Sequence, residues 1–270
     1  MADIIKNPEF DKLVLAIQKL ETELAALVLD RDSLLYHVCP KLQTEYMLKI
    51  GKLEYAVFEH ECKILRGKRK IEMIQAMLNK EEKYDVVKID KQLDNEYKEY
   101  TQKLIEKQKE INEARLKKSA MGKLLTKEET TELKSLYTQI VKKLHPDINP
   151  STTVEQHEHF IDAVNAYKNA DLPEMRIIHL LINKVFVTGI TSTMEKLVLR
   201  KELLIHEKDY LEGEINQIKE TFPYSVMDLL QNTDKLNEKI TELGTQLTDL
   251  KTQYENIEKR LQSILGSGDE

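Results

Sequence analysis

The sequence predicts an all-α fold in which a compact helical hairpin sits mid-chain between long helices and a C-terminal antiparallel coiled coil. Three observations carry this. The 270 residues include only eight glycines and six prolines, with 33% charged and 41% hydrophobic residues, a balance that favours long helices over sheet. Apolar residues recur at three- and four-residue steps through most of the length, as they do on one face of a helix. In the C-terminal quarter Leu229, Leu236, Leu243, Leu250, Ile257 and Ile264 repeat every seven residues, with Thr233, Ile240, Leu247, Tyr254 and Leu261 between them, which is a coiled-coil seam.

Charge and end composition narrow the class of function. A formal net charge of -6 leaves no strongly basic domain to neutralise phosphates, so nucleic acid is a disfavoured partner. Residues Met1 to Pro8 show no basic region followed by an apolar core, and no apolar run approaches the roughly 20 residues that span a bilayer. A cytoplasmic protein without membrane contact is expected. Cys39 and Cys62 lie outside any Cys-x-x-Cys spacing and are read as reduced, mostly buried thiols rather than a disulfide or a zinc site.

The first segment, residues 1–122, reads as a long-helix arm. Phe10, Leu13, Ile17, Leu20, Leu24, Leu27 and Leu34 form a seam interrupted by Arg31, giving a helix over 8–38 that Pro40 closes. A second helix starts near Lys41 and places Leu42, Tyr46, Ile50, Leu53, Val57 and Ile64 on one side, with Gly51 a local weak point. The run Arg66-Gly67-Lys68-Arg69-Lys70 is either a basic turn or the wet face of a continuing helix. Residues 84–118 are helical again, with Ile89, Leu93, Tyr97, Tyr100, Leu104, Ile111 and Ala114 along one side. At that spacing the tyrosines are packing residues with wet hydroxyls.

The second segment, residues 123–188, carries the chemistry. Thr126 with Glu129 three residues on makes a capping box for a helix whose face holds Leu133, Leu136, Tyr137, Ile140 and Leu144. A residue before proline is pushed out of the α region, so the helix stops at His145 and His145-Pro146-Asp147 becomes a fixed corner. After a polar loop, a helix over 154–169 presents Phe160, Ala163, Val164 and Tyr167. The expected hairpin core is Leu133, Leu136, Ile140, Leu144, Phe160, Val164 and Tyr167, with the corner exposed at the tip. A further helix over 174–186 follows Asp171-Leu172-Pro173, with Met175, Ile178, Leu181, Ile182 and Val185 as its apolar residues.

The third segment, 189–265, opens with Leu197, Leu204, Leu211 and Ile218 at heptad spacing and breaks at Phe222-Pro223-Tyr224-Ser225 before the longer heptad arm. The break suggests an antiparallel hairpin. The longer arm then needs another partner, either the N-terminal helices or a second copy in a homodimer. Residues 266–270 read as a frayed tail.

The bland reading of His145-Pro146-Asp147 is a helix stop and turn in a helical scaffold. A hydrolytic dyad is disfavoured, because a proline between the histidine and the aspartate keeps them from orienting one another and no Ser or Cys nucleophile stands nearby. His157 and His159 with Glu155 and Glu158 point to different sides of a helix and are read as surface residues, with no metal or other cofactor implied.

Taken together, Leu133, Lys134, Tyr137, Ile140, Leu144 and His145-Pro146-Asp147, then Asn149-Pro150, Phe160 and Ala166-Tyr167, resemble the J-domain of DnaJ-type co-chaperones. Asp171, Pro173, Glu174 and Arg176 are similar to that family's Asp-Pro-Glu-x-Arg segment, here with Leu172 inserted. The resemblance covers about residues 130–180. It implies a non-enzymatic co-chaperone whose His145-Pro146-Asp147 loop docks on a DnaK-type heat-shock chaperone and stimulates ATP hydrolysis there. The helical arms would hold a protein client or a second copy. In this picture Asp147 offers a carboxylate to a partner arginine, His145 supplies hydrogen bonds, and Pro146 fixes the corner. Tyr137 would lie on the docking face, and Lys134, Lys142 and Lys143 would face an acidic partner surface. The chain departs from the family at Thr138 and Gln139, where basic residues usually follow the helix tyrosine, and it lacks the usual short first helix with its Tyr-x-x-Leu-Gly pattern. Met121, Leu124 and Leu125 are the expected substitute cover. Neither a Gly/Phe-rich linker nor repeated Cys-x-x-Cys-x-Gly modules occur. The competing expectation is a coiled-coil scaffold whose degenerate J-like hairpin does not stimulate the chaperone.

Overall fold

A computed structural model describes residues 8–120, 125–185 and 193–266, and the regular elements among them are all helical. The helices are α1 (Pro8–Ser33), α2 (Cys39–Tyr46), α3 (Lys52–Leu78), α4 (Val86–Glu96), α5 (Lys98–Ala120), α6 (Lys127–Leu144), α7 (Val154–Lys168), α8 (Leu172–Val185), α9 (Met194–Glu220), α10 (Met227–Gln231) and α11 (Thr233–Gly266). Met121, Leu124, Phe186 and most of the tail fall outside the described residues, as do the expected segment boundaries near 122 and 188. Among the described residues no helix is long and apolar enough to cross a membrane.

Packing divides the chain into Met1–Lys41 with Lys123–Ser225, and Leu42–Gly122 with Val226–Glu270. This grouping differs from the linear order of arm, hairpin and coil. The cause lies in the partners of α1, which packs on both α6 and α9 and so joins the hairpin's core.

In the first unit α1 and α9 run side by side in the same direction. Arg200 meets Glu21 (2.6 Å), Lys208 meets Glu23 (2.8 Å), Glu214 meets Arg31 (3.5 Å) and Lys219 meets Asp30 (3.8 Å), so both sequences ascend together. Between them Ile17, Leu24, Ala25 and Val28 of α1 join Leu197, Leu204 and Leu211 of α9 in one core. That core continues into α6 through Leu133, Tyr137, Ile140, Val141 and Leu144, and into α7 and α8 through Ala163, Ala166, Tyr167, Leu172, Met175, Ile178 and Ile182. Fully burying one such aliphatic side chain contributes about 1.5–3 kcal/mol, so shared burial rather than helix propensity holds these helices.

The first helix is expected to stop at Pro40 but does not. A π-helical turn at Leu34–Val38 lets Cys39 N–H bond to Leu34 C=O, and Pro40 enters α2 at its second residue, where a missing N–H is tolerated. A second π turn ends at Gly51, the expected weak point. Both thiols are free and buried.

In the second unit α3 lies beside α11, again in parallel: Gln246 donates to Glu61, Tyr254 meets His60 edge-on, Gly67 faces Ile257, and Leu261 and Ile264 pack on the cluster around Ile74. The basic run 66–70 stays helical inside α3, and α4 answers it with acids: Arg66 bonds Asp94 (2.7 Å), Arg69 bonds Glu96 (3.3 Å) and Lys70 bonds Asp90 (2.8 Å). The coiled-coil arms expected in 189–265 are therefore present, but the antiparallel pairing expected of them is corrected to two parallel pairings, α9 with α1 and α11 with α3. The physical reason is that the N-terminal helices carry both the complementary apolar seams and the opposite charges.

Candidate functional site

The corner is built by local chemistry at four helix ends. α6 starts at the expected capping box, with Glu129 N–H donating to Thr126 Oγ1 (3.1 Å) and Thr126 N–H to Glu129 Oε2 (2.8 Å). It ends where His145 turns extended at ψ 128, the conformation its following proline imposes. Asn149 then folds back, its Nδ2 donating to the carbonyls of Lys142 and Lys143 (2.8 Å each), which satisfies two of the helix's orphan acceptors. α7 opens with a second capping box, Thr153 with Gln156. Asp171 caps α8 through Glu174 N–H, and Arg176 grips Glu132 of α6 with two hydrogen bonds (2.7 and 2.6 Å).

His145, Pro146 and Asp147 come together as the tripeptide must, but not as an exposed tip. His145 is only 6% exposed, which corrects the expectation. Its ring stands edge-on to Phe160 (5.1 Å between centroids), and its Nδ1 accepts the Asp147 N–H (3.2 Å). An accepting Nδ1 belongs to the neutral ring. Burial drives the imidazole pKa below its ordinary value, against the upward pull of the Asp147 carboxylate 3.5 Å away. Asp147 itself keeps 48% of its side chain at the surface, and Pro146 is half-buried.

The covering comes from α1 and α9. Tyr137, expected on a docking face, is 0% exposed: its ring stacks on Tyr167 at 4.2 Å, and its hydroxyl donates to Asp32 Oδ2 of α1 (2.5 Å). Asp32 is 2% exposed and also accepts from Arg31 Nε (3.0 Å), so a buried carboxylate is held by one phenol and one guanidinium. Burial and that carboxylate push the Tyr137 phenol far above its usual range. Lys142 is turned to Thr22 Oγ1 of α1 (2.8 Å). From α9, Arg200 Nη2 donates to Ile148 C=O (3.0 Å) while holding Glu21 (2.6 Å), and Glu207 sits against Asp147. Burial, then the Asp147 carboxylate, raise the Glu207 pKa. Of the residues expected to meet a partner, Asp147, Lys134, Lys142 and Lys143 remain on the surface, Lys142 with its amine turned to Thr22.

The expected hairpin core is assembled. Leu133, Ile140, Leu144 and Tyr167 are buried, with Leu136, Phe160 and Val164 packed partly buried against them. The expected cover from 121–125 reduces to Leu125 among the described residues, and α1 supplies the rest. Sequence reading missed Asp32, Arg200 and Glu207, and it named Asn149 only within Asn149-Pro150 and not as the residue that closes the end of α6. Only Asp32 left a trace, as half of the charged pair Arg31-Asp32 that breaks an otherwise apolar seam. Among the described residues no group of three or more His, Cys, Asp or Glu side chains is placed to hold a metal ion. Compared with protein-family models, curated proteins and solved structures, the chain matches none.

Proposed function

We propose that this chain is a helical scaffold, an interaction protein whose J-like bundle is folded onto its own long helices and does not stimulate a DnaK-type chaperone in that state. The burial of His145 against Phe160, beside Arg31 and Asp32 of α1, carries this reading. A docking loop must offer its hydrogen-bonding groups to a partner, and here His145 and Tyr137 spend theirs inside the molecule. The long helices are the surfaces on which a scaffold of this kind would gather other proteins.

The second reading is a J-domain co-chaperone that docks His145-Pro146-Asp147 on the chaperone and delivers a client held by its arms. The surface position of Asp147, with Lys134 and Lys143 on the same bundle, favours it. An ATPase assay with a purified DnaK-type chaperone separates the two. The scaffold reading expects wild type and His145→Gln to leave the basal rate alike. Acceleration by wild type that disappears in His145→Gln establishes the co-chaperone instead.

A further inference from the structure

We propose that the outer face of α9 is a docking strip for a basic amphipathic helix of another protein. This rests on the reading of the chain as a scaffold and names the kind of partner it would gather. α9 carries two apolar seams, and only one of them is used inside the molecule. Leu197, Leu204 and Leu211 are buried in the core shared with α1. At about 100° of turn per residue, Leu199, Leu203, His206, Tyr210 and Gly213 fall on the opposite side, at alternating steps of four and three, which is the core spacing of a coiled coil. This second seam lies open: Leu199, Leu203 and Tyr210 are 58%, 59% and 56% exposed, and a Cβ on Gly213 would meet nothing within 4 Å. The Tyr210 hydroxyl donates to Glu214 of its own helix (3.0 Å), so a docked helix would have no phenol to satisfy.

Charge chooses the occupant. Along one edge of the open seam Glu195, Glu202 and Asp209 recur every seven residues, all exposed, and none of them makes a salt bridge or side-chain hydrogen bond with another described residue. The other edge holds Arg200, Glu207 and Glu214, of which Arg200 and Glu214 are turned to Glu21 and Arg31 of α1. A second copy of α9 laid parallel on this seam would set Glu202 against Glu207 and Asp209 against Glu214, with only Glu195 meeting an arginine, Arg200. Laid antiparallel, it would set one acidic edge against the other. Both arrangements repel. A partner helix with lysine or arginine at its own flanking positions turns the same acids into attraction, and its apolar stripe covers Leu199, Leu203 and Tyr210.

The test is fluorescence anisotropy of the full chain titrated into a fluorescein-labelled helical peptide with leucines at its core positions and lysines at its flanking ones, whose like charges keep it from pairing with itself. Saturable binding is expected. A peptide of the same composition in scrambled order, and one with glutamates in place of the lysines, are expected not to bind. Leu203→Ser should weaken the lysine peptide at least about tenfold, the factor for one leucine left uncovered, and the isosteric pair Glu202→Gln with Asp209→Asn about threefold. All three positions are exposed, so helical circular dichroism should not change; if Leu203→Ser loses helical content, the charge variant decides alone. No binding of the lysine peptide, equal binding of either control peptide, or a folded variant that binds like wild type overturns the strip. Light scattering that shows a dimer converted to monomer by Leu203→Ser gives the face to a second copy and overturns it too. Failure of the scaffold reading shows up separately, as ATPase acceleration by the wild type whatever the peptides do.

Discussion

The two parallel helix pairs, α1 with α9 and α3 with α11, solve the same packing problem by different means. Between α3 and α11 the contact is tightened by a missing side chain: a Cβ on Gly67 would lie 2.6 Å from Ile257 Cγ2. Between α1 and α9 the seam is shared with the α6 to α8 bundle through buried polar groups, Asp32 and the guanidinium of Arg200. The α3 and α11 pair closes on a glycine and meets α4 through apolar residues and surface ion pairs. The α1 and α9 pair seats its bundle with buried polar pins, which fix register because each has few acceptable partners.

Breaking the pin should show the largest effect. Asp32→Ala leaves the Tyr137 hydroxyl and a partly buried Arg31 without their carboxylate, and should lower the unfolding free energy of the first unit by about 3–5 kcal/mol. Tyr137→Phe keeps the Arg31 contact and should lose about 1–3 kcal/mol. Urea unfolding followed by circular dichroism measures both. A loss under about 1 kcal/mol for Asp32→Ala would mean that the pin does not hold the bundle to α1.

The close approach in the other pair predicts a smaller effect with a built-in control. Gly67→Ala should gain helix propensity but meet the β-branched, stiff Ile257, for a net loss of about 1–2 kcal/mol. In an Ile257→Ala background the same substitution should become neutral or stabilising, since the clash is gone and about 1 kcal/mol of propensity remains. A double-mutant cycle that adds without coupling would remove Gly67 from the contact.

These two contrasts mark what the sequence disclosed. Heptad leucines such as Leu204, Leu211, Leu236 and Leu243 announced long helices and buried seams, and all four are buried. The capping box at Thr126 and the stop at His145 were legible because they are set within a few residues. Partner and direction were not legible, because a period of seven says that a face needs burial and nothing about which face meets it. Choosing α1 for α9 depends on pairs such as Glu21 with Arg200, far apart in sequence. The exposure of the corner failed for the same reason: the hairpin taken alone has a free tip, and the α1 residues beside the buried His145, Arg31 and Asp32, come from a distant part of the chain.

Acid should separate the two units by a further, moderate effect. His145 and His37, both in the first unit, have pKa values lowered from 6.5 chiefly by burial. The unfolded chain then binds protons that the folded one resists, so the stability is full above about pH 6.5 and falls as pH drops toward the lower folded values. Glu207 has the opposite sign: its pKa is raised from 4.5, so its contribution is present below that value and is lost as pH rises through the folded one. Thermal unfolding between about pH 5 and 7 should show a falling Tm on acidification that His145→Gln makes shallower. An unchanged slope in that variant would mean that His145 titrates as a solvent-exposed imidazole and is not enclosed.

The smallest effect concerns how α7 hands over to α8 inside the first unit. α7 ends with Asp171 N–H bonding Ala166 C=O (2.8 Å) and Ala170 N–H bonding Tyr167 C=O (3.1 Å), the two bonds of a Schellman cap. The residue at the left-handed position of such a cap is normally glycine, but here it is Ala170 at φ 54, so its Cβ crowds the backbone. Ala170 also packs partly buried against the shared core, and its methyl contributes there. Relief of the left-handed strain should outweigh the loss of one methyl and the added freedom of the unfolded chain, leaving Ala170→Gly more stable by about 0.5 kcal/mol. The gain should appear as a rise of one or two degrees in the Tm of the first unit, with the α3 and α11 pair unaffected, by about the conversion expected for a domain of this size. A drop in Tm would mean that the Ala170 methyl matters more to the core than the cap geometry does.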